Sequence, residues 1–365
     1  MAPVYLALRE RSDIFDTRVC VTAQHRQMLD QVLELFGIVP DVDLNLMMAG
    51  QDLYHVTCSV LNGIRDVLRE HRPDIILVHG DTTTTMATSM AAFYEKVPVG
   101  HIEAGLRTWD LYSPFPEEFN RQVASRVARW HFAPTAGSSS NLEREGISSA
   151  RIHVTGNTVI DALHWVLRRI EQDPRRKGQL SGKLDSLLPF SWRSERFVLV
   201  TGHRRENFGD RLLNICHALR EVASRYPNLH IVYPVHLNPN VLEPVTSMLS
   251  AVPKVHLIEP LDYEPFVYLM RHCYLVLTDS GGIQEEAPSL GKPVLVMRDV
   301  TERPEAVEAG TVKLVGANLK EIVKNVSVLL DNQDCYEAMA RAHNPYGDGL
   351  ASGRIVEVLA SEGRT

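Results

Sequence analysis

Short apolar segments alternate with helical segments along most of this chain, and this alternation limits the fold more than any other feature of the sequence. Each apolar segment is followed by a helix or by residues that start one. Strands separated by helices form a parallel sheet with helices on both faces. The strands predicted in the first half are Thr17–Val21, Ile75–Val78, Val97–Ile102, His131–Ala133 and Arg151–Val154.

The alternation starts again near residue 197, which predicts a second domain. The strands predicted there are Phe197–Thr201, His230–Pro234, Val255–Ile258, Tyr274–Thr278 and Pro293–Met297. A chain of 365 residues is long enough for two domains, each with its own core. We predict an α/β fold of two doubly wound domains with a cleft between them, residues 1–170 and 171–348. A C-terminal helix in 349–365 completes the first domain, and Gln172–Arg196 is a surface connection.

The start of the chain departs from this pattern, because Met1–Leu8 has the character of a helix and no strand precedes it. In a doubly wound domain the first strand usually lies in the middle of the sheet, and the loop after it meets the ligand. We therefore expect either a different strand order in this domain or a missing first strand and loop.

The bulk properties exclude several classes of function. The net charge is -7 without a long run of one sign, which argues against a general nucleic-acid or membrane surface. The five cysteines form no CxxC pair, so neither a disulfide framework nor a zinc knuckle is indicated. No histidines have metal-ligand spacing such as HExxH, and no metal or cofactor is required. The absence of a membrane-length apolar stretch and of a signal peptide predicts a cytoplasmic protein.

The segment from Thr278 to Glu286 has the pattern of a site for a nucleoside diphosphate. An apolar strand leads to Ser280, Gly281 and Gly282 at the start of a helix, where backbone N–H groups and the helix dipole favour an anion. Glu286 follows about one turn later and could accept two hydrogen bonds from a ribose diol. The simpler explanation is a glycine-rich turn with a capping serine. The GxGxxG fingerprint is absent, so a dinucleotide site is not indicated.

Three carboxylate positions follow predicted strands or begin a helix in the first half. Asp81 follows one strand and Glu103 the next, which places both at the carboxyl edge of a sheet where ligands bind. The simpler explanation for Asp81 and the threonines after it is helix capping. Glu117 and Arg121 are four residues apart on one helix face, a spacing that also suits an ordinary salt bridge.

In the second half, the segment Gly202–Asn207 follows a strand and supplies His203 and Arg204, donors suited to phosphate. His236 ends the next strand. Phe266 could stack on a base, although an aromatic residue at such a helical position is more often part of the core.

Together these motifs closely resemble the bacterial non-hydrolysing UDP-N-acetylglucosamine 2-epimerases over nearly the whole chain. The strings that carry the resemblance are His79–Thr85, His101–Arg107, Pro114–Arg121, Gly202–Glu206, Pro234–Asn240, Asp279–Met297 and Thr301–Thr311. The resemblance implies the GT-B architecture of two Rossmann-like domains and usually a homodimer. It also implies reversible conversion of UDP-GlcNAc to UDP-ManNAc for polysaccharide synthesis.

The resemblance also assigns roles to residues. The acidic catalytic positions of the family match Asp81, Glu103 and Glu117, to which we add Arg121 and His203. The UDP-binding group is Phe266, Ser280, Gly281, Gly282 and Glu286. Some members bind a second UDP-GlcNAc in a regulatory pocket, and the matching positions are Gln24, Gln27, Gln51, Arg204 and His236. Gly50 stands where some members have an arginine, and polar residues that merely line a cleft would give the same pattern.

The start of the chain differs from the family pattern. The family opens with a strand and a Gly-Thr-Arg-Pro-Glu loop, followed by a lysine, and Met1-Ala2-Pro3 aligns just after them. We expect a version extended upstream to be more stable and more active than the chain as written.

Three other functions fit parts of the same pattern. A GT-B glycosyltransferase shares the fold and an acid after the diphosphate loop but needs an acceptor site. A hydrolysing epimerase would release free ManNAc and UDP. A nucleotide-sugar-binding remnant without catalysis would follow from the absent first strand.

Overall fold

The computed structural model describes residues 1–23, 26–46, 48 and 50–362, without the side chains of Gln27, Met28 and Glu362. The chain divides into two compact units: Met1–Ala162 with Tyr346–Thr365, and Leu163–Pro345. Every strand pair in the described ranges is parallel, and helices connect the strands. The predicted α/β fold class is therefore confirmed.

The first unit contains a four-stranded sheet and a separate two-stranded sheet. Its strands are β1 (Cys20–Val21), β2 (Val42–Asp43), β3 (Ile76–His79), β4 (Val99–Ile102), β5 (Trp130–Ala133) and β6 (Ile152–Val154). Its helices are α1 (Ala2–Glu10), α2 (Arg26–Phe36), α3 (Leu53–His71), α4 (Thr83–Tyr94), α5 (Glu117–Val127) and α6 (Ala136–Arg144). The larger sheet has the order β3-β4-β5-β6, and β1 pairs with β2.

Helices α3 and α4 of the first unit begin at polar caps, and α3 buries one apolar face. Asp52 accepts a hydrogen bond from the backbone N–H of His55 at the start of α3, and Thr82 does the same for Thr85 in α4. The buried positions of α3, which recur every four residues, are Val56, Val60, Ile64 and Leu68. This spacing places them on one stripe, which packs against α4 and the sheet.

The last helix, α16 (Ala351–Glu362), packs against α1 in the first unit. Ile355 and Leu359 of α16 share a core cluster with Val4 of α1 and with Phe132 of β5. The apolar residues that recur with helical spacing in α16 are therefore buried against this unit.

The second unit contains a six-stranded sheet. Its strands are β7 (Phe197–Thr201), β8 (His230–Pro234), β9 (Val255–Ile258), β10 (Leu275–Thr278), β11 (Val294–Val296) and β12 (Val312–Leu314). Its helices are α8 (Pro174–Leu187), α9 (Asp210–Arg225), α10 (Pro239–Leu249), α11 (Tyr263–His272), α12 (Ile283–Ser289), α13 (Pro304–Glu308), α14 (Leu319–Asp331) and α15 (Gln333–Ala340). Helix α7 (Thr158–Gln172) begins in the first unit and ends in the second.

The six strands have the order β12-β11-β10-β7-β8-β9, the strand order of a Rossmann sheet. The order reverses between β7 and β10, so the loops after these two strands diverge at this point and leave room for a ligand. Strands β7 and β10 are buried almost throughout, which explains their continuous apolar sequences.

Most predicted strands are present with bounds that differ by a few residues, but two strands were missed. Strands β2 and β12 have two and three residues, and Asp43 and Lys313 within them interrupt the apolar runs. The segment predicted as a surface connection contains α8, whose Leu180 and Leu184 are buried, and Trp192 beyond it is also buried. That prediction was wrong because prolines and serines at both ends masked the apolar period between them. No helix in the described ranges is long and apolar enough to cross a membrane.

Candidate functional site

Asp81 lies in the turn between β3 and α4, at the carboxyl end of the sheet in the first unit. Gly80 before it has φ +69°, a conformation that glycine adopts without steric cost. The residue that caps α4 is Thr82, whose hydroxyl accepts a hydrogen bond from the N–H of Thr85. The capping explanation therefore holds for Thr82.

The carboxylate of Asp81 pairs with Arg121 of α5. The distance from Arg121 Nη2 to Asp81 Oδ2 is 2.5 Å, and Arg121 Nη1 lies 3.2 Å from Glu118 Oε2. The amide of Asn120 donates a hydrogen bond to the backbone carbonyl of Asp81 over 2.9 Å. Helix α5 thus holds both the side chain and the backbone of Asp81, so the ordinary i, i+4 pair between Glu117 and Arg121 is not formed.

The two neighbouring glutamates of α5 have different environments. Glu118 is fully buried, and its carboxylate accepts hydrogen bonds from the backbone N–H groups of Thr108 and Trp109. Glu117 is half-buried and makes no hydrogen bond or ion pair with any residue that the structure describes. Glu118 is therefore a structural anion, whereas Glu117 keeps its carboxylate available.

Glu103 follows β4 in a left-handed conformation with φ +63°, which costs a residue with a side chain about 1–2 kcal/mol. Its Oε1 lies 3.6 Å from the position of a Cβ at Gly80, so the loops of Glu103 and Asp81 are adjacent. Its Oε2 accepts a hydrogen bond from the amide of Asn157 over 3.1 Å. His79 Nε2 lies 3.8 Å from the same oxygen.

His101 ties these two loops together from inside the sheet. It is fully buried on β4, and its Nε2 lies 2.8 Å from the backbone carbonyl of Gly80. Burial lowers the pKa of His101 to about 4, so the ring is neutral at pH 7. The N–H of Gly80 also donates to the carbonyl of Ile102 over 2.9 Å. Two hydrogen bonds therefore fix the spacing between the turn of Asp81 and the strand that ends at Glu103.

In the second unit, Asp279 organises the loop that contains His203 and Arg204. It is 1% exposed, and its carboxylate accepts hydrogen bonds from the backbone N–H groups of both residues and from the amide of Asn207. The His203 ring stacks on His236 with 5.9 Å between centroids, and burial lowers the pKa of His203. Asp279 thus joins the loops after β7 and β10, where the strand order reverses.

The two glycines of the predicted diphosphate loop differ in their surroundings. A Cβ at Gly281 would lie 2.6 Å from Nη1 of Arg303, whereas a Cβ at Gly282 would meet nothing within 4 Å. The space beside Gly281 is therefore filled by a guanidinium, and only the space beside Gly282 is open. The N-cap of α12 is Gly282 and makes no side-chain cap, so Ser280 does not have the capping role of the simpler explanation.

Arg303 belongs to a partly buried network of charges that the sequence did not reveal. It pairs with Glu285 over 2.5 Å and with Glu302 over 3.0 Å, and Arg298 bridges Glu302 to Glu206. The network connects α12 to the loop after β11 and to the turn after Arg204. The pairs Arg303–Glu285 and Arg298–Glu206 join residues far apart in the sequence, so no local spacing could have identified them.

Glu286 of α12 is 6% exposed, and Oε1 of its carboxylate accepts a hydrogen bond from the phenol of Tyr263 over 2.6 Å. Burial raises the pKa of Glu286 to about 7, the Tyr263 bond opposes this rise, and Glu285 adds to it. Tyr263 and the half-buried Phe266 lie in the first turn of α11. Phe266 therefore keeps part of its ring accessible.

The predicted regulatory residues are only partly described. Gln24 and the side chain of Gln27 lie outside the described residues. Gln51 donates its amide to the carbonyl of Leu46 over 2.5 Å, and the exposed His236 accepts a hydrogen bond from the backbone N–H of Asn238. Among the residues that the structure describes, no three His, Cys, Asp or Glu side chains are placed to hold a metal ion.

The first unit brings together Asp81, Glu103 and Arg121, while Glu117 at the start of α5 pairs with no residue that the structure describes. The second unit brings His203 beside His236. The residue that sequence reasoning missed in the first unit is Asn157. It follows β6 just as Asp81 and Glu103 follow their strands, so the same position rule could have identified it.

Comparison with known proteins gives matches over nearly the whole chain. A family model described as UDP-N-acetylglucosamine 2-epimerase matches residues 7–360. The UDP-N-acetylglucosamine 2-epimerase of Escherichia coli (strain K12) is 57% identical over 359 residues, which cover 98% of this chain and 94% of that protein.

Solved structures give the same result. The UDP-GlcNAc 2-epimerase from Neisseria meningitidis bound to UDP-GlcNAc is 53% identical, with a TM-score of 0.91 over 99% of this chain and 96% of that chain. The S. aureus MnaA–UDP structure is 44% identical, with a TM-score of 0.88 over 100% of this chain and 93% of that chain.

Proposed function

The chain belongs to the UDP-N-acetylglucosamine 2-epimerase family, and we propose that it interconverts UDP-GlcNAc and UDP-ManNAc without releasing the free sugar. The family membership supports an epimerase. The non-hydrolysing outcome, the mechanism and the residue roles are our proposal.

The substrate explains why such an enzyme needs several carboxylates. The hydrogen at C2 is not next to a carbonyl, so its direct removal would leave an unstabilised carbanion. If the C1–O bond breaks first, UDP leaves with the bonding electrons and positive charge develops at C1. A base then removes the C2 proton, and the C2–H electrons form the C1–C2 double bond of 2-acetamidoglucal. Protonation of C2 on the other face and return of UDP to C1 give the epimer.

We assign the proton transfers to Asp81, Glu103 and Glu117. The observation that carries this assignment is the adjacency of the Asp81 and Glu103 loops at the ends of neighbouring strands. The amide of Asn157 donates to Glu103 Oε2 and so holds this carboxylate in place, as a proton-transfer group requires. Arg121 fixes Asp81, and Glu117 retains a carboxylate without a partner in the described ranges.

We assign UDP binding to residues of the second unit. Gly281 and Gly282 offer backbone N–H groups to the diphosphate, and the open space at Gly282 supports a close approach. The N–H of Ser280 donates to Thr278 Oγ1, so Ser280 contributes its hydroxyl. Glu286 accepts the ribose hydroxyls, and the accessible ring of Phe266 stacks on the base. His203, placed by Asp279 at the reversal of strand order, completes the binding group and stabilises charge on the departing diphosphate.

Three further properties expected from the sequence belong to the same proposal. They are a homodimer, a cytoplasmic location and a regulatory site for a second UDP-GlcNAc at Gln24, Gln27, Gln51, Arg204 and His236. The stacking of His236 on His203 supports the last of these, because a ligand at His236 would contact a residue of the UDP-binding group.

The products of a reaction with UDP-GlcNAc alone test the proposal. We expect proton NMR spectra to show UDP-ManNAc in equilibrium with UDP-GlcNAc, with no free sugar. Free ManNAc and UDP would identify a hydrolysing epimerase. Turnover only after addition of an acceptor would identify a glycosyltransferase, and UDP binding without any product would identify a binding protein.

A further inference from the structure

Tyr263 connects the two helices that carry the ribose-binding and base-stacking candidates. It is the first residue of α11, and its phenol donates a hydrogen bond of 2.6 Å to Oε1 of Glu286 on α12. Hydrogen bonds to an ionised oxygen are shorter and stronger than neutral ones. The bond therefore fixes the position of one carboxylate oxygen.

Glu286 needs such a partner because its surroundings oppose a negative charge. It is 6% exposed, and within the described ranges no lysine, arginine or histidine pairs with it. The neighbouring Glu285 is also acidic, and its carboxylate is paired with Arg303. Tyr263 on α11 and Glu285 with Arg303 are thus the titratable and charged groups around the Glu286 carboxylate.

We propose that Tyr263 is a positioning residue for nucleotide binding, whose O–H holds Glu286 so that its carboxylate can accept both hydroxyl groups of a ribose. This inference rests on the proposed role of Glu286 in UDP binding. A carboxylate offers about four acceptor positions, so one bond to the phenol leaves enough for a vicinal diol.

The pKa values on both sides of the bond make the role measurable. Burial raises the pKa of Glu286 to about 7, and the Tyr263 bond counteracts this rise. Burial also raises the pKa of the Tyr263 phenol, which therefore stays a donor between pH 6 and pH 9. Without the O–H, the pKa of Glu286 rises further and ribose binding moves to higher pH.

The test compares UDP binding by the wild type, Tyr263→Phe and Tyr268→Phe, measured by titration calorimetry at pH 6, 7, 8 and 9. Tyr268 lies on the same helix, and its ring packs on Trp192 instead of Glu286. We expect Tyr263→Phe to bind UDP about 10-fold more weakly at pH 7, as for loss of a hydrogen bond to a charged group, and to recover most of the affinity at pH 9. Tyr268→Phe should follow the wild type. Comparison at equal pH cancels the ionisation of UDP itself.

A second ligand separates positioning from a general loss of structure. The wild type should prefer UDP over 2′-deoxy-UDP, and Tyr263→Phe should lose most of this preference at pH 7. In a Glu286→Gln background, Tyr263→Phe should change neither the affinity for UDP nor the preference for UDP over 2′-deoxy-UDP.

Two results would overturn the inference while the proposed function stands. In the first, Tyr263→Phe binds UDP with the affinity of the wild type at every pH. In the second, it binds UDP more weakly by the same factor at every pH, and its preference for UDP over 2′-deoxy-UDP is unchanged. Failure of the wild type to bind UDP would contradict the proposed nucleotide binding as well.

Discussion

Arg121 Nη2 and Asp81 Oδ2 are 2.5 Å apart although 40 residues separate them in the sequence. The same guanidinium contacts Glu118, which is fully buried, and the Arg121 side chain is 6% exposed. Removal of Arg121 would therefore leave two carboxylates without their cation, one of them in the interior.

We expect Arg121→Met to lower the free energy of unfolding by about 3 kcal/mol, because breaking a buried ion pair leaves an uncompensated charge. The double variant Arg121→Met/Glu118→Gln should regain part of this stability. Urea denaturation measures both, and Arg126→Met, an exposed change on the same helix, is the control with a change within about 0.5 kcal/mol. Equal destabilisation by Arg121→Met and Arg126→Met would contradict the assignment.

Glu117 and Glu118 should respond in opposite ways to the same substitution. Glu117→Gln removes a carboxylate that has no partner among the described residues, so kcat should fall about 10²–10⁴-fold at unchanged melting temperature. Glu118→Gln disturbs bonds to Arg121 and to two backbone N–H groups, and should cost about 2 kcal/mol of stability. Steady-state kinetics and thermal unfolding distinguish the two. Full turnover in Glu117→Gln would remove it from the proton-transfer group.

Asn157→Asp should move the pH dependence of the reaction. The amide of Asn157 donates a hydrogen bond to Glu103 Oε2, whereas an aspartate there would place a second negative charge beside that carboxylate. The acid limb of the kcat/KM profile between pH 5 and pH 9 should shift upward by about one unit, and Asn157→Ala should shift it less. The exposed Asn62→Asp is the control for an added charge. A profile that coincides with that of the wild type would contradict a role for Glu103 in proton transfer.

Glu286→Gln should stabilise the protein at alkaline pH while weakening UDP binding. The folded pKa of about 7 lies above the value of 4.5 for a free glutamate, so the stability associated with this group is present below pH 4.5 and lost as pH rises through 7. The neutral amide avoids that loss, which predicts a gain on the order of 1 to 3 kcal/mol at pH 8 and little gain at pH 5. Denaturation at both pH values measures the gain, with the exposed Glu243→Gln of α10 as control. A gain of equal size at both pH values would mean that titration of Glu286 is not its cause.

Most of the fold could be predicted from the sequence because buried parallel strands have continuous apolar sequences. The family prediction is confirmed by matches along the chain, and its solved members have a GT-B-like architecture. How the two domains face each other stays a prediction, as do the domain bounds. Strands β2 and β12 and helix α8 were missed because their periodic signals are short or interrupted.

The candidate site was predictable only where position in the fold follows from strand ends. Asp81 and Glu103 end neighbouring strands, so their adjacency could be inferred. The partner of Arg121 could not be inferred, because the i, i+4 rule describes pairs within one helix. In the structure the tertiary ion pair of Arg121 with Asp81 replaces the pair with Glu117. Tyr263 and Arg303 contact their partners through space, across 23 and 18 residues, and no motif marks such contacts.

Exchange of the C2 hydrogen with solvent tests the central claim most directly. Wild-type protein is incubated with UDP-GlcNAc in D₂O, and the nucleotide sugars are analysed by proton NMR and mass spectrometry. The proposed elimination and re-addition of UDP predicts one deuterium at C2 of UDP-ManNAc, and the same label in recovered UDP-GlcNAc, with UDP still attached. UDP-ManNAc that keeps the original hydrogen at C2 would contradict the mechanism.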